Sequence, residues 1–570
     1  MAASTPVFEH RCWSMSTFSN PELLEKTLDR ALLEAPRHNI NCIEIKDYSG
    51  SWIDLPGKFG RYPKLANAKT LTLQGRPWTA DDRRQRAAVL KRLAAKVKAA
   101  GLEFQVWYHC FAHWPKEVTQ LYPQLGDASS QELYDFLAQT FRDGLDYFSE
   151  IDGVTITSLQ ETPSILRFGG DVPLVDRLER LYRVFVDVCQ ERGKRLVFRD
   201  FIVKKSEFDL FDDVMQRLPN WVWVQTKDVV ADWGGEEKPV NPFIFRYARY
   251  PKPLLVEFEL SNNYAGEMEI PWCHPEYLWR RIRMMAEMGL KGGVGRLVNT
   301  DDVVDTTIFD TPNDIMVWAF SRFMVDPGRL LRHDTDEWDR SYDQFDMSLW
   351  RNWADEKFGR AAAPAIIQLL RRTPMLMDLT NNQCGSHFLC GRFNTPDNPE
   401  NRRRFAEGLT GGYRSIPFVV RAIRKAGGDL ARVEKAEAMR LVEEGLALIE
   451  SLRPILSESG YRMLHGAYDR SKYLVGIYQA MVNAIVTAME VDAGTATPEQ
   501  LQRDCGRLHA AGAAAAAAYS PRLLEGTPIA AHVLADYILT MPGRIDELLR
   551  IAEQPFCIAE MESREQKPQK

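Results

Sequence analysis

The sequence predicts an α/β protein, a (β/α)8 TIM barrel followed by an all-helical C-terminal domain. Eight short runs rich in Val, Ile and aromatic residues have the pattern of buried parallel strands, and helix-length segments separate nearly all of them. The strand pattern stops at about Thr335, and 570 residues exceed one ordinary domain. We therefore expect the catalytic barrel over residues 1–334, the helical domain over 335–561 and a frayed tail over 562–570.

Each predicted strand breaks off into polar residues, which in a barrel line the face that carries the chemistry. The strand candidates are Arg11–Phe18, Cys42–Ile45, Phe104–Tyr108, Val154–Ile156, Leu196–Phe198, Trp221–Val224, Leu254–Val256 and Gly293–Val298. No G-x-G-x-x-G follows the first of these strands, and no G-x-x-x-x-G-K occurs anywhere in the chain. The motifs therefore give no support to a dinucleotide-binding or P-loop protein.

Helix start and stop signals fall between the strands. Asn20 is predicted to cap a helix that has Pro21 in its first turn. A long helix is predicted to begin after Thr79 and to end at Gly101. Further barrel helices are predicted near Ser130–Tyr147, Leu174–Arg192, Leu210–Arg217 and Pro275–Met288. In the second domain, helices are predicted at Ala361–Arg372, Arg414–Lys425, Val433–Leu452, Tyr461–Glu490, Thr497–Tyr519 and Ile545–Glu553.

Composition excludes several classes of protein. The formal net charge of -6 is small for this length and both signs are mixed, which argues against a nucleic-acid or membrane-surface partner. The nine cysteines are scattered and odd in number, which indicates buried thiols of a reduced compartment. Neither a Sec-type signal nor an apolar run long enough to span a membrane is visible, so we expect a cytoplasmic protein. The length of the helical domain makes a homodimer through it a plausible assembly.

Carboxylates at the strand ends indicate glycoside hydrolysis. That reaction needs a protonated carboxylic acid at the leaving oxygen and a carboxylate that activates water or attacks carbon. Glu161 follows the fourth strand and Asp232 follows the sixth, so the two can face each other across the barrel mouth. Glu257 and Glu259 alternate in one strand and point to the same side. If that side is the barrel interior, at least one of them lies near the site; otherwise they pair with barrel helices.

Other strand-end residues suit a sugar substrate. Arg199 and Lys227 can clamp a carboxylate on the substrate. His109 is followed by His113, a weak metal-ligand spacing, and we favour substrate hydrogen bonding or packing for His109. The remaining substrate-binding candidates are Trp233, Asn262, Asn263 and Tyr264. We expect a small carbohydrate ligand, with no metal and no cofactor.

The motif VQTKDVVADW, with Lys227, Asp232 and Trp233, resembles the end of one strand in the α-glucuronidase family of glycoside hydrolases that debranch xylan. VEFELSNNYAG is similar to the strand and E-Y-x-G turn of that family, with Tyr264 and Gly266 in place. FRDF around Arg199 is similar to the strand end that carries a substrate-binding arginine. The resemblance covers roughly residues 10 to 330, and it implies a general acid at Glu161, a base at Asp232 and an inverting outcome.

The chain departs from that family at three points. Asn263 stands where the family has a glutamate that shares the general-base role, and Thr157 stands where it has a lysine that binds the uronate. The amino-terminal β domain that the family carries ahead of the barrel is not seen. Asp232 is therefore the single family-type base, unless Glu257 or Glu259 substitutes for it.

Two other functions stay open on the residues alone. A metal-dependent barrel enzyme, of the sugar isomerase or amidohydrolase kind, would use Glu161, Asp200, Asp232, Glu257 and a histidine as ligands. A non-catalytic carbohydrate-binding protein would bind sugars through its aromatic residues and turn none over. We rank an exo-acting glycoside hydrolase first, because acid, base and clamp candidates all fall at strand ends.

Overall fold

A computed structural model describes most of the chain. It covers residues 6–16, 21–47, 62–66, 68–73, 76–110, 115–157, 159, 165–201, 205–229, 240–260, 270–297, 307–328, 345–383, 386–387, 416–518 and 527–553.

Eight parallel strands close into a barrel, which confirms the predicted fold class. In chain order the first ten strands are β1 (His10–Ser16), β2 (Cys42–Asp47), β3 (Thr70–Leu73), β4 (Arg76–Thr79), β5 (Glu103–His109), β6 (Gly153–Thr157), β7 (Arg195–Arg199), β8 (Trp223–Lys227), β9 (Leu254–Glu259) and β10 (Gly292–Arg296). Around the barrel the order is β1, β2, β5, β6, β7, β8, β9 and β10, and β10 pairs with β1. The strands β3 and β4 form a separate antiparallel hairpin.

Helices surround the barrel and continue beyond it. Those in the first part of the chain are α1 (Pro21–Glu34), α2 (Pro63–Ala66), α3 (Ala80–Ala99), α4 (Lys116–Leu121), α5 (Gln131–Tyr147), α6 (Leu174–Arg192), α7 (Lys205–Arg217), α8 (Pro242–Tyr247), α9 (Pro275–Glu287) and α10 (Asp314–Val325). Those that follow are α11 (Ser348–Phe358), α12 (Ala363–Leu370), α13 (Thr373–Asn381), α14 (Ile416–Ala426), α15 (Gly428–Leu452), α16 (Glu458–Asp492), α17 (Pro498–Ala518), α18 (Thr527–Leu539) and α19 (Ile545–Glu553). Two strands of two residues each, β11 (Asn382–Gln383) and β12 (Ser386–His387), interrupt this helical region.

The barrel interior changes character along its axis. Alternate residues of a strand share one face, so every second residue of each barrel strand points inward. Near the amino-terminal ends of the strands the interior holds an apolar plug, formed by Cys12, Cys42, Val197, Leu255 and Val294. This plug is separate from the large core between the barrel and its helices. Above it, toward the carboxyl ends, the inward residues of the described strands are polar apart from Trp107.

The helical region packs directly on the last barrel helices. Asp314 of α10 accepts hydrogen bonds from Trp353 Nε1 at 2.9 Å and from Lys357 Nζ at 2.7 Å, both on α11. The backbone N–H of Cys273 donates to Thr373 Oγ1 at 2.8 Å. One hydrophobic core runs from the barrel into the helices. The predicted boundary at 334/335 lies among residues 329–344, outside the described residues, as does the tail 562–570, so both stay predictions.

Three differences between the predicted and the observed elements have physical explanations. α10 is buried on nearly all sides, so its apolar residues show no helical period. β3 and β4 are four residues long and include Pro77, which hides a strand pattern. β8 extends three residues past the predicted end at Val224 because Gln225 and Lys227 face a polar interior. The two-residue strands β11 and β12 correct the expectation that no strand follows Thr335.

One helix, α16, is long and apolar enough to cross a membrane by length and composition. In its most apolar stretch 67% of the residues are buried inside the protein, as in the core helix of a soluble protein. The six cysteines in the described ranges, Cys12, Cys42, Cys110, Cys189, Cys273 and Cys505, are all buried and form no disulfide. For these six, the prediction of buried thiols is confirmed.

The absence of a side chain at Gly292 allows the first residue of β10 to lie close to the backbone of β1. A Cβ atom built on Gly292 would lie 2.2 Å from the backbone oxygen of His10, far inside contact distance. We expect Gly292→Ala to lower the free energy of unfolding by about 1–3 kcal/mol or more, because the barrel backbone must shift. Urea unfolding followed by circular dichroism measures this change.

Gly506→Ala is the matched control. Gly506 lies on the exposed side of α17 with nothing within 4 Å of the added Cβ, so alanine there should raise stability by about 0.5–1 kcal/mol. Equal effects of the two substitutions would contradict the close approach at Gly292.

Candidate active site

The carboxyl ends of the barrel strands carry a cluster of buried charges. Four cationic side chains point into the upper interior, from Lys46 on β2, Arg199 on β7, Lys227 on β8 and Arg296 on β10. Two carboxylates lie among them, Glu257 and Glu259 of β9, and all six side chains are less than 10% exposed. Buried charges are costly unless they are paired, so the pairing decides what this cluster can do.

Arg199 and Glu257 form a bidentate ion pair in the interior. Nε and Nη2 of Arg199 donate to the two carboxylate oxygens at 2.5 and 2.9 Å, and Gln225 Nε2 donates to Oε2 at 2.9 Å. Burial alone would raise the pKa of Glu257, but the Arg199 guanidinium, with Arg296 and Lys227 nearby, outweighs burial and holds the pKa well below its usual range. Glu257 is therefore ionised and cannot serve as a proton donor at neutral pH.

Arg199 nevertheless keeps one nitrogen for another partner. Its Nη1 atom is buried and has no hydrogen-bond partner among the described residues. The guanidinium carbon lies 4.1 Å from the ring centroid of Trp107. A buried arginine N–H without a hydrogen-bond acceptor costs free energy. This atom is therefore suited to donate a hydrogen bond to an oxygen of a bound molecule.

Glu259 sits at the last residue of β9 and bridges two cations. Lys227 Nζ lies 2.6 Å and Arg296 Nη1 lies 3.1 Å from its Oε1. Both Glu257 and Glu259 point into the barrel. The sequence had left open whether they face the interior or the surrounding helices. They also act as ion-pair partners, but of residues on other barrel strands rather than of the surrounding helices.

Trp107 lies among these charges and fixes their positions. Lys46 Nζ lies 4.1 Å from its ring centroid, a cation–π distance, and its Nε1 donates to Thr157 Oγ1 at 2.9 Å. His109 stacks on the Trp107 ring at 5.0 Å between centroids. Thr157, the position of a lysine in the resembled family, thus anchors the indole instead of carrying a charge.

Below the cluster lies a third carboxyl group, that of Glu44, which was not predicted as a site residue. Glu44 on β2 accepts hydrogen bonds from Ser14 at 2.8 Å, Gln105 at 2.9 Å and Thr155 at 2.5 Å. Burial raises its pKa, the three donors offset part of that effect, and the charge of Glu257 adds to it. The sequence signal was available, because Glu44 and Lys46 alternate in β2 as Glu257 and Glu259 do in β9.

Two aspartates tie strand ends to the helices behind them. Tyr247 of α8 donates its hydroxyl to Asp200 at 2.6 Å, and Tyr277 of α9 donates to Asp228. Asp200 follows the inward-facing Arg199, so its side chain points to the outer side of the sheet. Burial raises the pKa of each of these two carboxyls to about 6, although the tyrosine hydrogen bonds act in the opposite direction.

The structure brings five of the predicted site residues into one cluster: His109, Arg199, Lys227, Glu257 and Glu259. The other six, Glu161, Asp232, Trp233, Asn262, Asn263 and Tyr264, lie outside the described residues, and their assignments stay predictions. Glu161 follows the end of β6 by four residues (161 − 157), and Asp232 follows the end of β8 by five (232 − 227). Lys46 and Arg296 were not predicted as site residues.

The closed barrel with helices beyond it is similar to the fold of a solved structure. No protein-family model matches the sequence, and no curated protein matches it. Among solved structures, the chain is similar to a GH138 enzyme targeting pectin rhamnogalacturonan II. The TM-score is 0.59 and the identity 11%, over 97% of this chain and 69% of that one.

Two further structures are more distant in shape. One is a family GH115 4-O-methyl-α-glucuronidase with specificity for decorated arabinogalactans, with a TM-score of 0.49, 12% identity and coverage of 92% of this chain and 62% of that one. The other is a β-N-acetylhexosaminidase from Bacteroides fragilis NCTC 9343, with a TM-score of 0.38, 13% identity and coverage of 60% and 73%.

Removing one partner of the buried ion pair should be costly. We expect Glu257→Gln to lower the free energy of unfolding by about 3–5 kcal/mol, because Arg199 is left buried without its counter-charge. In urea unfolding, the double variant Arg199→Met/Glu257→Leu should recover part of that loss.

Glu25→Gln provides the control for this pair. Glu25 also binds an arginine through both oxygens, since Arg92 donates to it at 2.8 and 3.1 Å, but that pair is on the surface. We expect little change in stability there. A comparable loss in both variants would show that burial does not set the strength of the Arg199–Glu257 pair.

Asp200 should make stability depend on pH in an unusual direction. Its pKa is about 6 in the folded protein and about 3.9 in an unfolded chain, so between these values the folded state binds more protons. Relative to Asp200→Asn, the wild type should therefore lose on the order of 2–3 kcal/mol of stability as pH rises from about 4 through 6. Urea unfolding at several pH values measures the difference.

Asp187→Asn is the control, since Asp187 is exposed on α6. Its pH profile should run parallel to that of the wild type. A parallel profile for Asp200→Asn as well would contradict the raised pKa of Asp200.

Proposed function

We propose that this protein is a glycoside hydrolase that acts on an acidic oligosaccharide, with Glu161 as general acid and Asp232 as base. The observation that carries the proposal is the Nη1 atom of Arg199, a buried arginine donor at the carboxyl end of a barrel strand that has no hydrogen-bond partner within the described part of the chain. A uronate carboxylate on the substrate would supply the missing acceptor.

The charge of the upper interior favours the same substrate class. Four cations, Lys46, Arg199, Lys227 and Arg296, face two ionised or ion-paired carboxylates. Among the described residues, this excess of positive charge attracts an anionic ligand, and the low-dielectric walls strengthen that attraction. Neutral sugars would gain nothing from it.

The roles follow from protonation states. Glu257 is held ionised by Arg199, so the proton for the leaving oxygen must come from another group, and Glu161 after β6 is the candidate. Asp232 after β8 would take a proton from the water that attacks the anomeric carbon on the opposite face of the sugar. The resemblance to α-glucuronidases supports this inverting course. Cytoplasmic location, exo action and a homodimer through the helical region remain part of the proposal.

The metal-dependent alternative is weaker because two of its ligands point apart. Asp200 faces the outer side of the sheet, where it accepts from Tyr247, whereas Glu257 faces the interior, where it binds Arg199. Residues on opposite sides of one sheet cannot ligate one ion. Assays of glycosidase activity distinguish a hydrolase from a protein that binds sugars without turning them over.

Glycosidase assays of Glu161→Gln and Asp232→Asn test the proposal. We expect Glu161→Gln to lose about 10²–10⁴-fold in kcat/KM on oligosaccharides but less on activated aryl glycosides, whose leaving groups need no proton. Asp232→Asn should lose activity on both, since attack by water limits each. The substrate panel pairs α- and β-uronides with the matching neutral glycosides, and NMR identifies the first product anomer.

Glu132→Gln, an exposed glutamate on α5, is the control and should retain wild-type rates. Full activity in both site variants would overturn the assigned roles. Loss of wild-type activity on adding a chelator would favour the metal enzyme, and sugar binding without turnover would favour a binding protein. Equal rates on uronides and neutral glycosides would contradict the acidic substrate.

A further inference from the structure

A second group of reactive side chains lies at the opposite end of the barrel. One imidazole nitrogen of His10 and the Sγ atoms of Cys12 and Cys42 all lie within 4.8 Å of one another. His10 and Cys12 alternate in β1, and Cys42 is the direct partner of Cys12 on β2, so the strand register itself brings the three together. Each of the three side chains is at most 2% exposed.

His10 is also incompletely satisfied. Its Nε2 atom is buried and has no hydrogen-bond partner among the residues that the structure describes. A buried polar atom without a partner costs free energy and calls for an explanation, such as an ion. The two thiols beside it are soft donors, and a set of one imidazole and two thiolates suits Zn²⁺ or Cu⁺ rather than Mg²⁺ or Ca²⁺.

Arg195 controls access to this group. Its Nη1 lies 3.3 Å from His10 Nδ1, and it pairs with Glu103 at 2.5 and 3.1 Å. An arginine can only donate, so Nδ1 accepts from it and the proton of the neutral ring lies on Nε2. An ion at Nδ1 would displace Arg195 directly, and an ion at Nε2 requires that proton to move to Nδ1. Either way, Arg195 must leave His10.

We propose that His10, Cys12 and Cys42 bind a thiophilic d¹⁰ cation such as Zn²⁺, and that binding requires Arg195 to swing away from His10. The side chain of Arg195 is 23% exposed and Glu103, its surface partner, is 40% exposed, so the guanidinium can stay paired as it moves outward. Zn–S bonds of about 2.3 Å place tetrahedral ligand atoms about 3.5–3.8 Å apart. The three side chains therefore need to close in by about 1 Å.

The ion would replace protons on the two thiols and leave the catalytic end of the barrel untouched. The apolar part of the plug, Val197, Leu255 and Val294, packs with the two cysteines. The site is thus independent of the proposed hydrolase activity, and binding can be tested whether or not that activity is found.

The test is a titration of the full-length, metal-free, reduced protein with Cd²⁺, followed through the thiolate-to-metal charge-transfer absorption. We expect one Cd²⁺ per chain, displaced by Zn²⁺, and a rise in the midpoint of thermal unfolding. Cys12→Ser/Cys42→Ser should abolish the band. His10→Gln should weaken binding, and Arg195→Met should tighten it, each by about 10- to 100-fold.

The control is Cys384→Ser/Cys390→Ser, because those two cysteines flank His387 and form another cysteine–histidine group in the sequence. It should leave the band unchanged. A band that survives in Cys12→Ser/Cys42→Ser, or is lost in the control, overturns the proposal, as does the absence of any Cd²⁺ band in the wild type. If the buried serine variant does not fold, Arg195→Met decides, since unchanged or weaker affinity there contradicts the predicted competition.

Discussion

The Arg199–Glu257 ion pair is the interaction on which the upper barrel depends. Both side chains are at most 3% exposed, so each would be costly to bury alone, and their two-point geometry offsets much of that cost. Gln225 adds a donor to the same carboxylate, and Arg296 and Lys227 bring further positive charge near it. The pair thus fixes which way the guanidinium of Arg199 faces.

That orientation links stability to binding. With Nε and Nη2 committed to Glu257, the remaining nitrogen of Arg199 is held rigidly instead of sampling many rotamers. A preorganised donor loses little side-chain entropy when a ligand binds. Trp107 adds to this order, since its ring lies 4.1 Å from Arg199 and from Lys46 and its N–H is anchored on Thr157. The same residues stabilise the barrel and define its candidate site.

The strand-end aspartates extend this order outward. Asp200 is bound by Tyr247 and Asp228 by Tyr277, which fixes the chain where it leaves β7 and β8. Asp232, the proposed base, follows Asp228 by four residues (232 − 228) in the sequence. At the other end of the barrel, Cys12 and Cys42 belong to the apolar plug, and His10 lies beside them. The interior therefore holds two chemically distinct environments.

Local patterns in the sequence predict the barrel, most of its strand and helix positions, and the placement of Glu257 and Glu259 on one side of their strand, because periodicity and strand-end polarity are local properties. That this side is the barrel interior follows only from the tertiary structure. Only the tertiary structure decided the partners, since Arg199 meets Glu257, and Lys227 meets Glu259, across strand registers that lie 58 and 32 residues apart in the chain. It also revealed Glu44, Lys46 and Arg296 in the interior, and the meeting of His10, Cys12 and Cys42. Closure of the barrel creates these contacts, and no local pattern encodes closure.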